Sequence, residues 1–74
     1  MQYDVALNAH LKWWNTEYPG RSELTVAEVA NNLHVKPGKL TQDPSFPWFR
    51  DGKVFKVSVP LLARWQTDRA IRKK

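Results

Sequence analysis

The chain has 74 residues, a length that fits one small domain. It contains no cysteine, which excludes disulfides and thiolate metal sites and predicts a reducing, cytoplasmic compartment. No segment approaches the roughly 20 apolar residues of a membrane span or has the pattern of a signal peptide, so neither membrane insertion nor secretion is expected.

The formal net charge of +5 is unevenly distributed along the chain. Residues 1–34 carry two basic and four acidic side chains, whereas residues 35–74 carry ten basic and three acidic ones. The two parts therefore have formal charges of −2 and +7. Such a concentration of positive charge is typical of a surface that neutralises phosphates. A basic face that serves only solubility is the alternative.

The first predicted element is an amphipathic helix from Asp4 to about Tyr18. Its apolar stripe recurs at helical spacing, at Leu7, Leu11, Trp14 and Tyr18. We expect Asp4 to cap the start of the helix and Pro19-Gly20 to end it. His10 continues the stripe, where a packed histidine is commoner than a metal ligand.

A helix-turn-helix is predicted next. Thr25 followed by Glu28 forms a capping box, which starts a helix at Val26. Pro37 suits the first turn of a second short helix that ends near Thr41. Two short helices with a tight connection are typical of a helix-turn-helix, although an ordinary pair of antiparallel helices fits these residues equally well.

A loop and a β-hairpin are predicted after the two helices. Two prolines within residues 43–47 exclude a regular ladder there. Asp51-Gly52 between two β-prone runs is the strongest short-range signal for a hairpin. A two-residue turn at Asp51-Gly52 predicts an aromatic pair that faces the core and a cationic pair that points outward: Trp48 with Phe55, and Arg50 with Lys53.

The last predicted element is a helix that closes the core. Ser58 is suited to cap this helix, and Pro60 is tolerated in its first turn. The buried stripe is expected at Leu61, Leu62 and Trp65. Few acidic residues oppose the basic end of the chain, so its last residues are expected to fray. The chain therefore divides into one domain, residues 1–68, and a basic tail, residues 69–74.

The elements in this order predict an α+β fold, a small winged helix made of a helix, a helix-turn-helix, a two-stranded β-hairpin wing and a C-terminal helix. In such folds one helix enters the DNA major groove, and the hairpin contacts a neighbouring groove or the backbone. We expect the DNA contacts to come from the second helix of the helix-turn-helix, the wing and the tail, at Lys36, Lys39, Thr41, Gln42, Arg50, Lys53, Lys56, Arg69, Arg72, Lys73 and Lys74.

These residue types suit different parts of DNA. Lysine suits phosphate or guanine contacts, whereas Thr41 and Gln42 can read base edges. The flat guanidinium of Arg50 can enter a narrow minor groove. Each of these charges taken singly is also compatible with simple solvent exposure, so the prediction depends on their clustering.

Three stretches of the sequence resemble a known family: residues 24–35, residues 52–57 and residues 61–65. Over about residues 22–66 the chain is similar to the excisionase and AlpA group of phage and mobile-element proteins, related to the N-terminal DNA-binding domain of MerR regulators. The resemblance implies a recombination directionality factor in the nucleoid of a bacterial host. Such a factor binds double-stranded DNA beside further copies of itself, bends the DNA, and helps a phage integrase excise the element.

Two features depart from the pattern of that family. Lys36-Pro37-Gly38-Lys39 stands where the family's second helix usually begins with serine or threonine and carries polar readers. The predicted helix from Asp4 to Tyr18 is an addition. Within it Trp13 lies off the main apolar stripe, and either marks a protein contact or packs on the flank of the domain.

Catalysis is not expected, because the chain lacks cysteine and its two histidines, His10 and His34, lie on different elements without a suitably spaced partner. We predict no cofactor, no metal and no small-molecule substrate. Two other functions fit the same residues. One is a small transcriptional regulator that binds one or two promoter sites. The other is a protein-interaction module that binds an acidic host partner through the basic surface.

Overall fold

Four helices and three short strands make up residues 2–72, the part of the chain that the computed structural model describes, with side chains described for residues 2–70. The elements are α1 (Gln2–Glu17), β1 (Glu23–Thr25), α2 (Val26–Leu33), α3 (Pro37–Thr41), β2 (Phe49–Asp51), β3 (Val54–Ser58) and α4 (Val59–Arg72). This arrangement confirms an α+β fold. The four predicted helices and the hairpin occur in the expected order.

The first helix begins earlier than predicted. Because α1 starts at Gln2, Asp4 lies within its first turn, and the prediction that Asp4 caps the helix is wrong. The half-buried Tyr3 belongs to the apolar stripe, so the helix extends past it. The Asp4 carboxylate still has a favourable position, near the positive end of the helix dipole. Gly20 follows the helix with φ of 76°, as expected of a chain reversal.

The core lies between α1, α2, α4 and one face of the sheet. Its buried members are Trp14, Leu24, Val26, Val29, Ala30, Leu40, Phe46, Val57, Val59, Leu62 and Trp65. Leu61, which was expected in this set, is 44% exposed, so that part of the predicted stripe is wrong. Ala63 and Thr67 are buried on α4 instead, together with Leu62 and Trp65.

Two polar bonds join α1 to α4 across this apolar interface. The Trp14 indole N–H donates to Gln66 Oε1, and His10 Nδ1 lies 2.9 Å from Thr67 Oγ1. The Thr67 hydroxyl donates to the carbonyl of Ala63 at 2.8 Å, so its oxygen accepts from His10. The prediction of a packed histidine at position 10 is confirmed.

A three-stranded antiparallel sheet, in the order β1-β3-β2, replaces the two-stranded hairpin predicted from the sequence. β1 pairs with β3 through Leu24 and Val57, both fully buried. A strand of three residues that leads directly into a helix has too few positions to show an alternating pattern. The added strand ties the hairpin to the start of α2.

The hairpin register differs from the prediction. The cross-strand partners are Phe49 with Lys56, Arg50 with Phe55, and Asp51 with Val54, so the turn residues are Gly52 and Lys53. Gly52 has φ of 64°, and Lys53 does not have a positive φ. A positive φ at the first central position alone is the type II′ pattern, which favours Gly at that position. The predicted direct opposition of Trp48 to Phe55 and of Arg50 to Lys53 is therefore wrong, although the Trp48 and Phe55 rings are in contact.

The last helix starts as predicted and extends further. Ser58 Oγ accepts from the N–H of Leu61 at 3.3 Å, which confirms the cap. Residues 69–72, the first part of the predicted basic tail, continue α4, while Lys73 and Lys74 lie outside the described residues. None of the helices within residues 2–72 combines the length and the apolar character that a membrane crossing requires.

Gly52 lies in the hairpin turn and Gly38 lies in α3. Together they give a matched test of the hairpin turn. A Cβ built on either glycine meets no atom within 4 Å, so the pair differs in backbone conformation and not in available space. We expect Gly52→Ala to lower the free energy of unfolding by about 1 kcal/mol, because its positive φ is unfavourable for alanine. We expect Gly38→Ala, within α3, to raise it by up to about 1 kcal/mol. Urea unfolding measures both, and equal effects would contradict the turn assignment.

Candidate nucleic-acid interface

The consecutive helices α2 and α3 are held by a few strong local interactions. The Glu28 N–H donates to Thr25 Oγ1 at 3.0 Å, and the Thr25 N–H donates to Glu28 Oε1 at 2.9 Å, which confirms the capping box. At the other end of α2, His34 takes the left-handed conformation with φ of 59°. Its N–H and that of Val35 bond to the last turn of α2, which reverses the chain toward α3.

α3 is a five-residue helix with one buried side chain. Pro37 stands at its start as predicted, and Leu40 is 4% exposed and anchors the helix in the core. The neighbouring positions Lys36, Lys39 and Gln42 are exposed. The packing of Leu40 therefore anchors α3 on the core, while Lys39 within the helix and Lys36 at its N-cap are exposed to solvent.

The tip of the hairpin lies close to the starts of α2 and α3. Ala27, Pro37, Lys53 and Phe55 line one shallow groove of about 270 Å³. Lys36 immediately precedes Pro37 as the N-cap residue of α3. Lys53 of the hairpin and Lys36 at the start of α3 thus belong to neighbouring parts of one surface. We call the exposed surface formed by residues 36–42 and by the turn of the hairpin the basic surface.

Two cations of the hairpin are in different environments. Arg50 Nε donates to the carbonyl of Gly52 at 3.0 Å, which folds the guanidinium against the turn and leaves its terminal nitrogens without a partner among the described residues. Lys56 Nζ lies 3.1 Å from Asp51 Oδ2 and 3.8 Å from Glu23 Oε1. Because two carboxylates already surround Lys56, it adds little positive potential. No ion pair among the described residues involves Lys36, Lys39 or Lys53.

The two predicted base readers follow directly after Leu40. The Thr41 hydroxyl donates to the carbonyl of Gly38 at 3.4 Å, so its hydrogen has a partner within α3 and its oxygen can still accept. Gln42 is the C-cap residue, and its exposed side chain has no hydrogen bond among the described residues. Gln42 is therefore better placed than Thr41 to donate to a base edge.

Arg69 lies apart from the hairpin, beside α3. Its guanidinium stands 4.6 Å from the centre of the Trp65 ring, in a cation–π arrangement. Arg69 and Lys39 line the same open groove of about 730 Å³ between α1, α3 and α4. The structure does not describe the side chain of Arg72, and the predicted contacts of Lys73 and Lys74 lie outside the described residues.

Sequence reasoning missed the exposure of two aromatic side chains of the hairpin. Trp48 and Phe55 contact each other, with ring centres 4.9 Å apart, but they are 36% and 40% exposed. The prediction that this pair faces the core is wrong, because the buried part of the sheet ends at Val57. Gly52 at the first central position of a type II′ turn could have indicated the register, but no local signal indicates the exposure of the two rings.

Trp13 both packs and remains exposed. Its indole N–H donates to Asn32 Oδ1 at 3.4 Å, which links α1 to α2, while 49% of the residue stays accessible. Trp13 therefore packs on the flank of the domain and keeps an accessible face.

The ion pair between Arg21 and Glu28 stabilises the start of the helix-turn-helix. Arg21 Nη2 lies 2.9 Å from Glu28 Oε1. The hydrogen bond from Arg21, followed by that from the Thr25 backbone, holds the pKa of Glu28 below its usual value of 4.5. One carboxylate therefore serves the capping box and an ion pair at the same time.

No family model, no curated protein and no solved structure matches this chain. The similarity to the excisionase and AlpA group therefore remains an expectation from the sequence, and the functional proposal depends on geometry and charge.

The lowered pKa of Glu28 predicts a pH-dependent stability. A carboxyl group whose pKa is lower in the folded chain stabilises the fold above its unfolded pKa, and this contribution is lost as the pH falls through the folded pKa. We expect Glu28→Gln to lower the melting temperature at pH 7, and the difference from the wild type to shrink as the pH falls below 4.5.

Glu17→Gln is the control for the loss of one exposed carboxylate, since Glu17 forms no ion pair with the described residues. Thermal unfolding followed by circular dichroism between pH 7 and acidic pH measures both variants. A difference between wild type and Glu28→Gln that persists at low pH would exclude the charged interaction as its cause.

Proposed function

We propose that this protein binds double-stranded DNA through the basic surface, with α3 as the recognition helix and the β2–β3 hairpin as the wing of a winged helix. One observation carries the proposal. Two exposed lysines without carboxylate partners among the described residues, on elements far apart in sequence, come to one groove: Lys53 of the hairpin turn lines it, and Lys36 immediately precedes Pro37, which also lines it. A phosphate backbone lying along this surface would neutralise both lysines.

The lysines would supply affinity rather than sequence recognition. α3 begins with Pro37 and Gly38, which carry no polar side chain, so its exposed start offers phosphate contacts from Lys36 and Lys39. Base reading in the major groove would fall mainly to Gln42. Discrimination among sequences would then depend partly on DNA shape and on the entry of Arg50 into a narrow minor groove.

We further propose that the protein acts as a recombination directionality factor of a phage or integrative element, in the bacterial nucleoid. The support for this role is the sequence similarity of residues 22–66 to the excisionase and AlpA group. The role requires adjacent binding sites, bent DNA and an integrase partner. A small transcriptional regulator with the same surface would instead occupy one or two separate sites.

A gel-shift titration on duplexes tiled across the neighbouring genome tests DNA binding and separates these roles. A ladder of cooperative shifts on one fragment supports a directionality factor, whereas a single discrete shift supports a regulator. The absence of a shift at both low and high salt would overturn the DNA-binding proposal. It would favour a module that binds an acidic protein partner.

Lys53→Ala and Lys12→Ala provide the matched test of the surface. Both lysines are exposed and form no ion pair with the described residues, but Lys12 lies on α1, away from the basic surface. We expect Lys53→Ala to weaken duplex binding and to reduce the slope of log affinity against log salt by about 0.9, the loss of one phosphate contact. Lys12→Ala should leave both unchanged. Equal effects would remove the hairpin from the interface.

A further inference from the structure

The two faces of the β2–β3 hairpin differ in their side chains. Directly opposed residues of an antiparallel pair share one face, and successive residues alternate between faces. Phe55 lies on the same face as the buried Val57, together with its partner Arg50. The Trp48 ring contacts Phe55 on that side. We call Trp48, Arg50 and Phe55 the inner face, and Phe49, Asp51, Val54 and Lys56 the outer face.

The inner face exposes two aromatic rings beyond the edge of the core. The Trp48 and Phe55 ring planes are inclined at 47°, with their centres 4.9 Å apart. More than a third of each residue is accessible, although large aromatic side chains are usually covered. Neither ring belongs to the buried cluster, whose last member in this part of the sheet is Val57.

The charges of the two faces differ in their effect on an anionic ligand. The inner face carries Arg50, whose terminal nitrogens have no partner among the described residues, and the exposed Lys53 lies at its tip. The outer face brings Asp51 and Glu23, from β1, around the single cation Lys56. An anionic backbone is thus attracted to the inner face and not to the outer face, although both faces expose apolar surface.

We propose that the inner face is a stacking platform for unpaired bases of single-stranded or locally opened DNA, with Arg50 and Lys53 contacting the adjacent phosphates. Exposed aromatic rings beside a positively charged track are the arrangement by which proteins hold single strands, because every base has a face that can stack. This inference extends the proposed DNA-binding function and rests on it. The platform would let the hairpin stack on unpaired bases, whose faces a fully paired duplex does not expose.

Tryptophan fluorescence of the full chain detects stacking directly. Titration with an oligonucleotide of about 12 thymidines should quench the emission of the wild type. Trp48→Phe should bind with similar affinity but lose the quenching, because it keeps a ring and removes the reporter. Trp13→Phe is the control, since Trp13 is the other strongly exposed tryptophan and lies on α1. Trp14 and Trp65 are buried and contribute a constant background.

Phe55→Ala and Phe49→Ala are the matched pair for affinity. The two rings are similarly exposed, at 40% and 37%, but lie on opposite faces of the same hairpin. We expect Phe55→Ala to weaken binding of the thymidine oligonucleotide about tenfold and Phe49→Ala to change it less than about twofold. Circular dichroism melts of both variants establish that the fold is retained.

The duplex experiments separate this inference from the proposed function. A duplex with a central mismatched bubble should bind more tightly than the fully paired duplex, and Phe55→Ala should abolish the difference. The platform is overturned if the bubble binds no more tightly than the paired duplex and the two Phe variants behave alike. Binding of the paired duplex would still support the proposed function. If only the single strand binds, the platform is supported and the proposed function fails. Loss of self-association in Phe55→Ala, with unchanged DNA affinity, would identify a protein contact and overturn the platform.

Discussion

The pairing of Leu24 with Val57 is the contact on which the rest of the structure depends. β1 leads directly into α2, and β3 leads directly into α4, so this buried antiparallel pair fixes the starts of the two helices at its opposite ends. The Val59 N–H, donating to the Ser22 carbonyl at 3.0 Å, extends the same ladder. Without the pairing of β1 with β3, the hairpin would be a two-stranded element with little stability of its own. The position of the hairpin relative to α2 and α3 follows from this pairing.

The helices could be predicted from the sequence because their signals are local. The capping box at Thr25, the proline at position 37 and the reversal at Gly20 act within a few residues, and all three have the expected effect. β1 could not be predicted, since its three residues become a strand only through a partner more than 30 positions later. The hairpin register failed for a different reason: Asp51-Gly52 and Gly52-Lys53 are both acceptable turns, and the choice depends on tertiary packing.

The exposed cations of the candidate site could be predicted from the sequence, but the charged groups that surround each of them could not. Lys36, Lys39 and Lys53 are exposed, as the clustering of charge suggested. The carboxylates around Lys56 come from the unpredicted β1 and from the shifted register, so its neutralisation was invisible in the sequence. The same shift of register placed Phe55 opposite Arg50 instead of Trp48. Both errors arise from contacts between residues distant along the chain.

The bonds from His10 to Thr67 and from Trp14 to Gln66 constrain how this sequence can diverge. A slide or rotation of α1 on α4 would leave polar groups unpaired inside a largely apolar interface, at a cost of about 1–3 kcal/mol for each buried group. The two bonds therefore select one alignment of the helices. Replacement of one partner leaves the polar group of the other without its hydrogen bond. We therefore expect such pairs to evolve by concerted substitution rather than one residue at a time.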